Sequence, residues 1–238
     1  IGEARPDGQL KYSDRQWGYG GNFGILVEPK PGTRFGLTYL TEVKLDFAAA
    51  PEFSGLGPVL QALLVSRGLT TSDIDLSMTV PQMVMASAYH EISPKWAVMG
   101  NVGWQNWSQF GKVDVGINTS NPTSLTVNND YKDTWHAALG IQYRHSPDWT
   151  FSCGAAYDSS AVDDDKRSVV LPMGEAWRFA LGAQVAVTPT LTVGAAYQFL
   201  WIGDMSVDQN RGPLAGRVAG DYKDSSISTF ALNLKWTY

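Results

Sequence analysis

The sequence predicts an all-β fold, a transmembrane antiparallel up-and-down β-barrel, and three observations lead there. Strand-like stretches alternate apolar and polar residues at the two-residue period of a pleated strand. Their connections also alternate, a short proline turn followed by a long polar or glycine-rich loop. Nine Trp, ten Tyr and nine Phe accompany 24 Gly in a chain that is only 17% charged. That mixture arises when lipid-facing and lumen-facing side chains average out.

Taken in order, residues 1–14 read as a polar loop and a first strand is expected near 15–28. The turn PKPGTRFGL (29–37) leads into a strand at 33–47. Phe35, Leu37, Tyr39, Val43, Leu45 and Phe47 share one of its faces; Arg34, Thr38, Glu42, Lys44 and Asp46 share the other. A long connection at 48–72 follows, then a strand at 73–90, the turn SPKWAVMG (93–100), and a strand at 95–115. Residues 116–130 form the next loop. The strand 131–145 sets Trp135, Ala137, Leu139, Ile141 and Tyr143 against Thr134, His136, Gln142 and Arg144. SPDWTFSCG (146–154) opens the strand 149–158, and a loop spans 159–175. Trp177, Phe179, Leu181, Val185 and Val187 line one face of 175–188, and TPTLTVGAA (188–196) turns the chain into 190–203. After a loop at 204–222 the last strand runs over 222–238. Each proline sits in a tight turn, where its fixed φ fits and its missing N–H deprives no ladder.

About nine strands result, each near or above the ~9–11 residues that cross a bilayer when tilted. Short turns on one side and long loops on the other are the sorting of outer-membrane barrels, and Trp135, Trp177 and Tyr143 fall where aromatic girdles would lie. A soluble barrel with its apolar face inward shows the same alternation and stays open as a reading. A transmembrane helix over the uncharged stretch Phe179–Gly203 is rejected, because Gln184, Thr188-Pro189-Thr190, Thr192 and Gln198 interrupt it.

The final strand carries Phe230, Leu232, Leu234, Trp236 and Tyr238 on one face. A terminal strand ending on an aromatic is similar to the signal read by the outer-membrane assembly machinery; a buried edge strand is the plain alternative. If short turns are periplasmic, the first strand descends and residues 1–14 start outside. With an odd strand count and no signal peptide, the chain is expected to lack its front, since open edges are not viable in lipid.

Composition excludes other classes. Net charge is −5, with 18 Lys and Arg against 23 Asp and Glu, so nothing favours nucleic acid as a partner. One cysteine, Cys153, excludes an internal disulfide framework and cysteine-rich metal sites. Asp163-Asp164-Asp165 lacks the spaced ligands and glycine of an EF-hand and reads as a solvated or lipopolysaccharide-facing loop. His90, His136 and His145 have no metal-ligand spacing. No nucleophile, P-loop or dinucleotide motif occurs, so neither a cofactor nor an enzymatic activity is expected.

WGYGGNFGILVEPKPGTRFGLTYLTEVK (17–44), the SPKW turn with VGWQNWSQF (102–110), and YDSSAVDDDKRSVVLP followed by Trp177 together resemble the FadL family. Trp104 with Trp107, and Asp158–Pro172 with Lys166-Arg167-Ser168, are its more specific parts. Members are outer-membrane transporters of long-chain fatty acids and other hydrophobic compounds. The resemblance implies a fourteen-stranded barrel plugged by an N-terminal hatch, an external capture groove, an inner site near the hatch, and a lateral opening at a kinked early strand. The chain corresponds to the last nine strands, without hatch, kinked strand or most of the inner site. It is therefore expected to form one partial barrel domain over 1–238, with a helical extracellular insertion near 50–72.

That insertion, GLGPVLQALLVSRGL (55–69), supplies the candidate ligand-binding residues. Leu56, Val59, Leu60, Leu63 and Leu64 fall at helical spacing, as an amphipathic helix would. The family's corresponding loop helps form the capture groove; the alternative is a helix packing on its own barrel rim. Arg34, Lys44, Arg144 and Arg178 are candidates to meet a carboxylate head group, or else pair with lumen carboxylates such as Glu42 and Asp46. Cys153 is expected to point outward, and Trp104 and Trp107 to anchor an interface or to stack a ligand. The function expected is passive outer-membrane transport of fatty acids or hydrocarbons, with membrane lipid, lipopolysaccharide and the assembly machinery as further partners. A structural or adhesin-like barrel and a soluble lipid-binding barrel are the alternatives.

Overall fold

The computed structural model describes residues 8–70, 72–110, 112–117, 123–169, 171–210 and 216–237. The chain forms two compact units. Glu42–Pro81, Gln109–Asn129 and the residues before Gly21 make the smaller; Gly21–Thr41, Gln82–Ser108 and Asp130 onward make the larger.

The smaller unit holds a two-stranded ribbon of β1 (Gln9–Lys11) and β5 (Glu52–Ser54). Beside it is an antiparallel sheet in the order β10 (Thr123–Asn128), β9 (Lys112–Ile117), β6 (Ile74–Val80), β4 (Val43–Ala49). Helix α1 (Pro58–Ser66) lies between β5 and β6 in sequence.

The larger unit is a nine-stranded antiparallel sheet. Its strands are β2 (Asn22–Lys30), β3 (Thr33–Leu40), β7 (Met83–Glu91), β8 (Trp96–Gln105), β11 (Thr134–Arg144), β12 (Trp149–Asp158), β13 (Ala176–Thr188), β14 (Leu191–Asn210) and β15 (Arg217–Trp236). They follow one another in that order across the sheet, an up-and-down meander without a crossover. Three expected strands are shorter than their periodicity suggested. The stretch 33–47 breaks after Leu40, where Thr41 closes the β2–β3 hairpin by accepting from the Gly21 amide (2.9 Å) and donating to its carbonyl (3.0 Å). The stretch 73–90 breaks at Pro81, which has no N–H to give a ladder. The stretch 95–115 breaks after Gln105 into the one-turn helix α2 (Trp107–Phe110). The first strand begins at Asn22, not near residue 15, and residues 9–11 are strand, not loop.

Cross-strand register sorts the side chains of the large sheet. Phe230, Tyr197, Leu181, Cys153, Ile141 and Val98 form one row across six strands. At the end with the long connections, Trp104 lies opposite Trp135, and Tyr157, Trp177 and Trp201 lie opposite one another in the row of Ala137. At the short-turn end Trp96 meets Tyr143 with ring centroids 4.5 Å apart, and Trp149 stacks on Phe151 at 5.7 Å. Trp135 to Tyr143, Tyr157 to Trp149 and Trp177 to Val185 each span eight residues, about 27 Å of strand. This face stays uncovered: Leu139 is 78% exposed and Phe230 80%.

Buried apolar side chains are few among the described residues, and Ala161, Val162, Ala176, Met205 and Val207 account for nearly all. They gather where residues 159–175 fold over β14. The expected loop at 204–222 is mostly strand: β14 runs on to Asn210 and β15 starts at Arg217. A bulge at Gly203 (φ +76°), which pairs with Ser225 next to Asp224 (φ +49°), shifts the ladder just past Trp201. It reverses which side chains face inward, so Met205 and Val207 become buried. Above it Asp204 pairs with Lys223 and Asp208 with Arg217. Arg167, 4% exposed, donates to the carbonyls of Met173 (2.7 Å) and Ser206 (2.8 Å) and to Asp164 (2.7 Å), tying the loop to β14.

Candidate functional site

Helix α1 starts because Gly57 is extended (φ −68°, ψ 152°) and Pro58 holds the first helical position, where a missing N–H costs nothing. It ends at Gly68 (φ +70°), whose amide donates to the Val65 carbonyl (3.0 Å). Four of the five expected binding residues lie on it or close to it: Val59, Leu60, Leu63 and Leu64; Leu56 lies in the bend that precedes it. Val59 is 86% exposed, while Leu56 and Leu64 are half-buried. The helix is not amphipathic as the spacing suggested. Ala62 and Val65 occupy the side opposite the leucines, and Gln61 and Ser66 are its polar residues. It has no buried residue. A helix apolar on nearly every side is normally covered by something, so this one presents a surface suited to a hydrophobic ligand.

The polar face of the nine-stranded sheet has a different design. At the short-turn end Arg144 reaches Glu91 and Tyr89 (3.2 Å), and Arg34 lies over the Tyr89 ring at 4.9 Å and 3.7 Å from Glu28. That turn is built on Pro31-Gly32, and the positive φ of Gly32 (+77°) brings its carbonyl to the Glu91 amide at 2.8 Å. Toward the other end His136 bonds Asp158 at 2.8 Å, and Arg178 stands 3.1 Å from the second oxygen of Asp158. Between these charged belts run two rows of mostly small residues. One is Gly140, Gly154, Ala180 and Gln198; the next is Ala97, Gln142, Ser152, Gly182 and Ala196.

A cavity of about 390 Å³ on this face is lined by Asn101, His136, Arg178 and Gln198 among the small residues. Within it, Asn101 Oδ1 and Arg178 Nε are buried without a hydrogen-bond partner among the described residues. Asp158 Oδ2 touches the Arg178 guanidinium as a charge contact whose angles do not make a hydrogen bond. The guanidinium thus keeps a free donor beside uncharged space, the arrangement a carboxylate or other polar head group would complete.

Of the four expected head-group cations, Arg34, Arg144 and Arg178 lie on this polar face, and the first two are engaged by Glu28 and Glu91. Lys44 does not join them: it sits on β4 in the smaller unit, 3.7 Å from Glu42. The expected partner Asp46 is on β4 as well. His136 and Asn101 were missed as members of the cluster, since only the β8–β11–β12 register brings positions so far apart together. Trp104 lies on the girdle, and Trp107 donates to Gln105 at 2.7 Å. Cys153 is exposed on the apolar face, as the alternation required. No group of three or more metal-ligating side chains occurs among the described residues.

Three comparisons bear on this geometry. The family described as outer membrane protein transport protein (OMPP1/FadL/TodX) matches residues 5–238. A long-chain fatty acid transport protein of Escherichia coli O6:H1 is 33% identical over 201 residues, covering 81% of this chain and 45% of the relative. Among solved structures, a Pseudomonas aeruginosa FadL homologue superposes with a TM-score of 0.73 at 19% identity, over 90% of this chain and 51% of that one. The Pseudomonas putida toluene transporter TodX does so with a TM-score of 0.55 at 16% identity, over 93% and 50%. At those identities the structures show the fold alone, and the chain spans about half the length of the relatives it matches.

Proposed function

The chain belongs to the outer membrane protein transport family (OMPP1/FadL/TodX), and from that premise we propose that it contributes capture and passage of long-chain fatty acids or related hydrophobic molecules across the outer membrane. The nine-stranded sheet is its portion of a membrane β-barrel, with the apolar face toward lipid and the polar face toward the lumen. The relatives are transport proteins by name, and we read the device as non-catalytic.

The observation that carries the proposal is α1, which buries none of its residues and leaves Val59, Leu60, Leu63 and Val65 exposed. Withdrawing an alkyl chain from water onto such a surface contributes about 0.8 kcal/mol per CH₂. Leu56, Val59, Leu60, Leu63 and Leu64 form this capture surface. In the lumen, Arg178 takes the head group, and the small residues leave room for the tail without competing hydrogen bonds. Release follows because the contacts are non-covalent and reverse without a chemical step. The uncharged middle of the polar face also accommodates hydrocarbons with no head group.

Two further partners fit the same reading. Phe230, Leu232, Leu234 and Trp236 line the lipid face of β15 as a strand for the assembly machinery to recognise; Tyr238 lies outside the described residues. The Asp163–Asp165 segment, beyond the Trp177 girdle, lies at lipopolysaccharide head-group level.

The test is fatty-acid affinity of the full-length protein carrying Leu60→Asp with Leu63→Asp. A loss of ten-fold or more with the barrel still folded is expected. Unchanged affinity would remove α1 from the path, and no saturable binding by the unaltered protein would favour a structural barrel.

A further inference from the structure

The lipid-facing side of the sheet is not a uniform wall. Along one cross-strand row the side chains are Trp96, Tyr143, Phe151, Ala183, Ala195 and Leu232. Three aromatic rings give way to two methyl groups, so the surface steps down over β13 and β14. In the adjacent row toward the bilayer centre, Cys153 is the small residue, and Leu181, Tyr197 and Phe230 stand up beyond it. The Tyr197 and Phe230 rings lie 4.8 Å apart and close that side. The result is a trough of about 600 Å³ with Cys153, Ala183 and Ala195 as its floor.

The dimensions of the trough select its occupant. Leu181 and Val185 flank Ala183 on β13, and Tyr197 and Val193 flank Ala195 on β14. In each case the flanking residues are four apart, about 13 Å of strand between backbones. Leu181 and Tyr197 line the trough on one side of that span, and their side chains narrow it by an ordinary carbon contact distance of about 3.5–4.0 Å. A helix, about 10–12 Å across with its side chains, does not enter. One hydrocarbon chain does. The trough lies between the mid-height row of Leu181 and the girdle of Trp96, Tyr143 and Trp149, in the leaflet on the short-turn side. At that girdle the Tyr143 hydroxyl makes no hydrogen bond within the described residues, and its ring packs on Trp96 at 4.5 Å. A phenol so placed sits at the depth of a lipid ester.

We propose that this trough is a binding site for one acyl chain of a membrane phospholipid, whose ester region is held at Tyr143 and Trp96. The site is separate from the lumen route and depends on the chain's membrane location, not on what the protein transports. It gives the barrel a preferred lipid at a fixed position, retained when the bulk of the bilayer is removed.

Mass spectrometry of the intact full-length protein, released from mild detergent, tests this. The unaltered protein is expected to carry one phospholipid. Ala183→Phe with Ala195→Phe, which fills the floor, lowers the retained fraction at least ten-fold, whereas Leu139→Phe, on the same face outside the trough, leaves it unchanged. The milder Ala195→Leu gives a partial loss and covers the case in which the double variant fails to assemble. Absence of phospholipid from the unaltered protein would overturn the proposal. Equal retention in all variants would do so as well, and so would a bound lipid identified as lipopolysaccharide or free fatty acid.

Discussion

Leu181 and Val187 lie on the same strand, 64% and 57% exposed, Val187 within the register shift between Ala186 and Thr188, and differ chiefly in depth. Leu181 is midway between the Trp177 row and the Val185 row; Val187 is six residues further toward the short turn. Six residues are about 20 Å of strand, and at a tilt of about 40° that becomes about 15 Å along the membrane normal. The lipid-facing apolar band is about 25 Å tall, so Val187 falls beyond its half-height of roughly 12 Å while Leu181 sits at the centre. Leu181→Arg is therefore expected to cost about 2–4 kcal/mol, and Val187→Arg about 0–1. At about 1.4 kcal/mol per factor of ten, the first lowers the folded-to-unfolded ratio roughly 30- to 700-fold. The assay is guanidinium unfolding and refolding of the full-length protein in lipid vesicles, followed by tryptophan fluorescence. If exposure to water governed both sites, each change would stay within about 0.5 kcal/mol. Equal costs at the two positions, large or small, would refute the assignment of this face to the bilayer.

Other consequences are as specific. Arg167→Met leaves the Met173 and Ser206 carbonyls without their donor, about 1–3 kcal/mol for each buried group; hydrogen exchange should quicken at 159–175 and 204–209 while the bilayer strands stay protected. Arg178→Met should weaken binding of a fatty acid about ten-fold or more, by loss of a charge-assisted hydrogen bond, and leave the corresponding alcohol almost unaffected. Above the bulge, the Asp224 amide and then Lys223 hold the Asp204 carboxyl below its ordinary range, and the Arg217 guanidinium does the same for Asp208. Unfolding raises both carboxyls to ordinary values, so their contribution is full above about 4 and is lost as the pH falls through the lower folded values. Proteolytic nicking of the β14–β15 ribbon should accordingly accelerate only in that acid window, without loss of the membrane strands.

Much of the larger unit was legible because a strand with lipid on one face and lumen on the other must alternate strictly. Phe179, Leu181 and Val185 against Arg178 and Gln184 permit no other register. Proline turns gave the order of the strands, and a meander needs nothing more. The breaks at Thr41, Pro81 and Asn106 were hidden because the alternation of Val43, Leu45 and Phe47 continues the parity of Phe35, Leu37 and Tyr39 into a different sheet. The ribbon was misread as a loop because Asp204, Asp208, Arg217 and Lys223 look solvated in sequence. Their complementarity about residues 211–216, Asp208 with Arg217 and Asp204 with Lys223, was the available sign of a hairpin. Helix α1 was legible from its leucines and from Gly57-Pro58, but the spacing concealed how apolar its remaining side is. The lumen cluster was the least accessible part: His136, Asp158 and Arg178 come together only through the register of three strands.

Passage of substrate through the lumen is tested most directly by filling the lumen. Ala180→Trp, in the row of small residues between the charged belts, fills the passage from the polar face without touching α1 or the lipid face. The measurement is the initial rate of labelled long-chain fatty acid uptake by cells that lack a transporter of their own, given the full-length protein with or without this change at equal amounts of folded barrel. Saturable uptake by the unaltered protein, reduced ten-fold or more by Ala180→Trp, is the predicted result. Equal uptake with the passage filled would contradict a route along this face of the sheet.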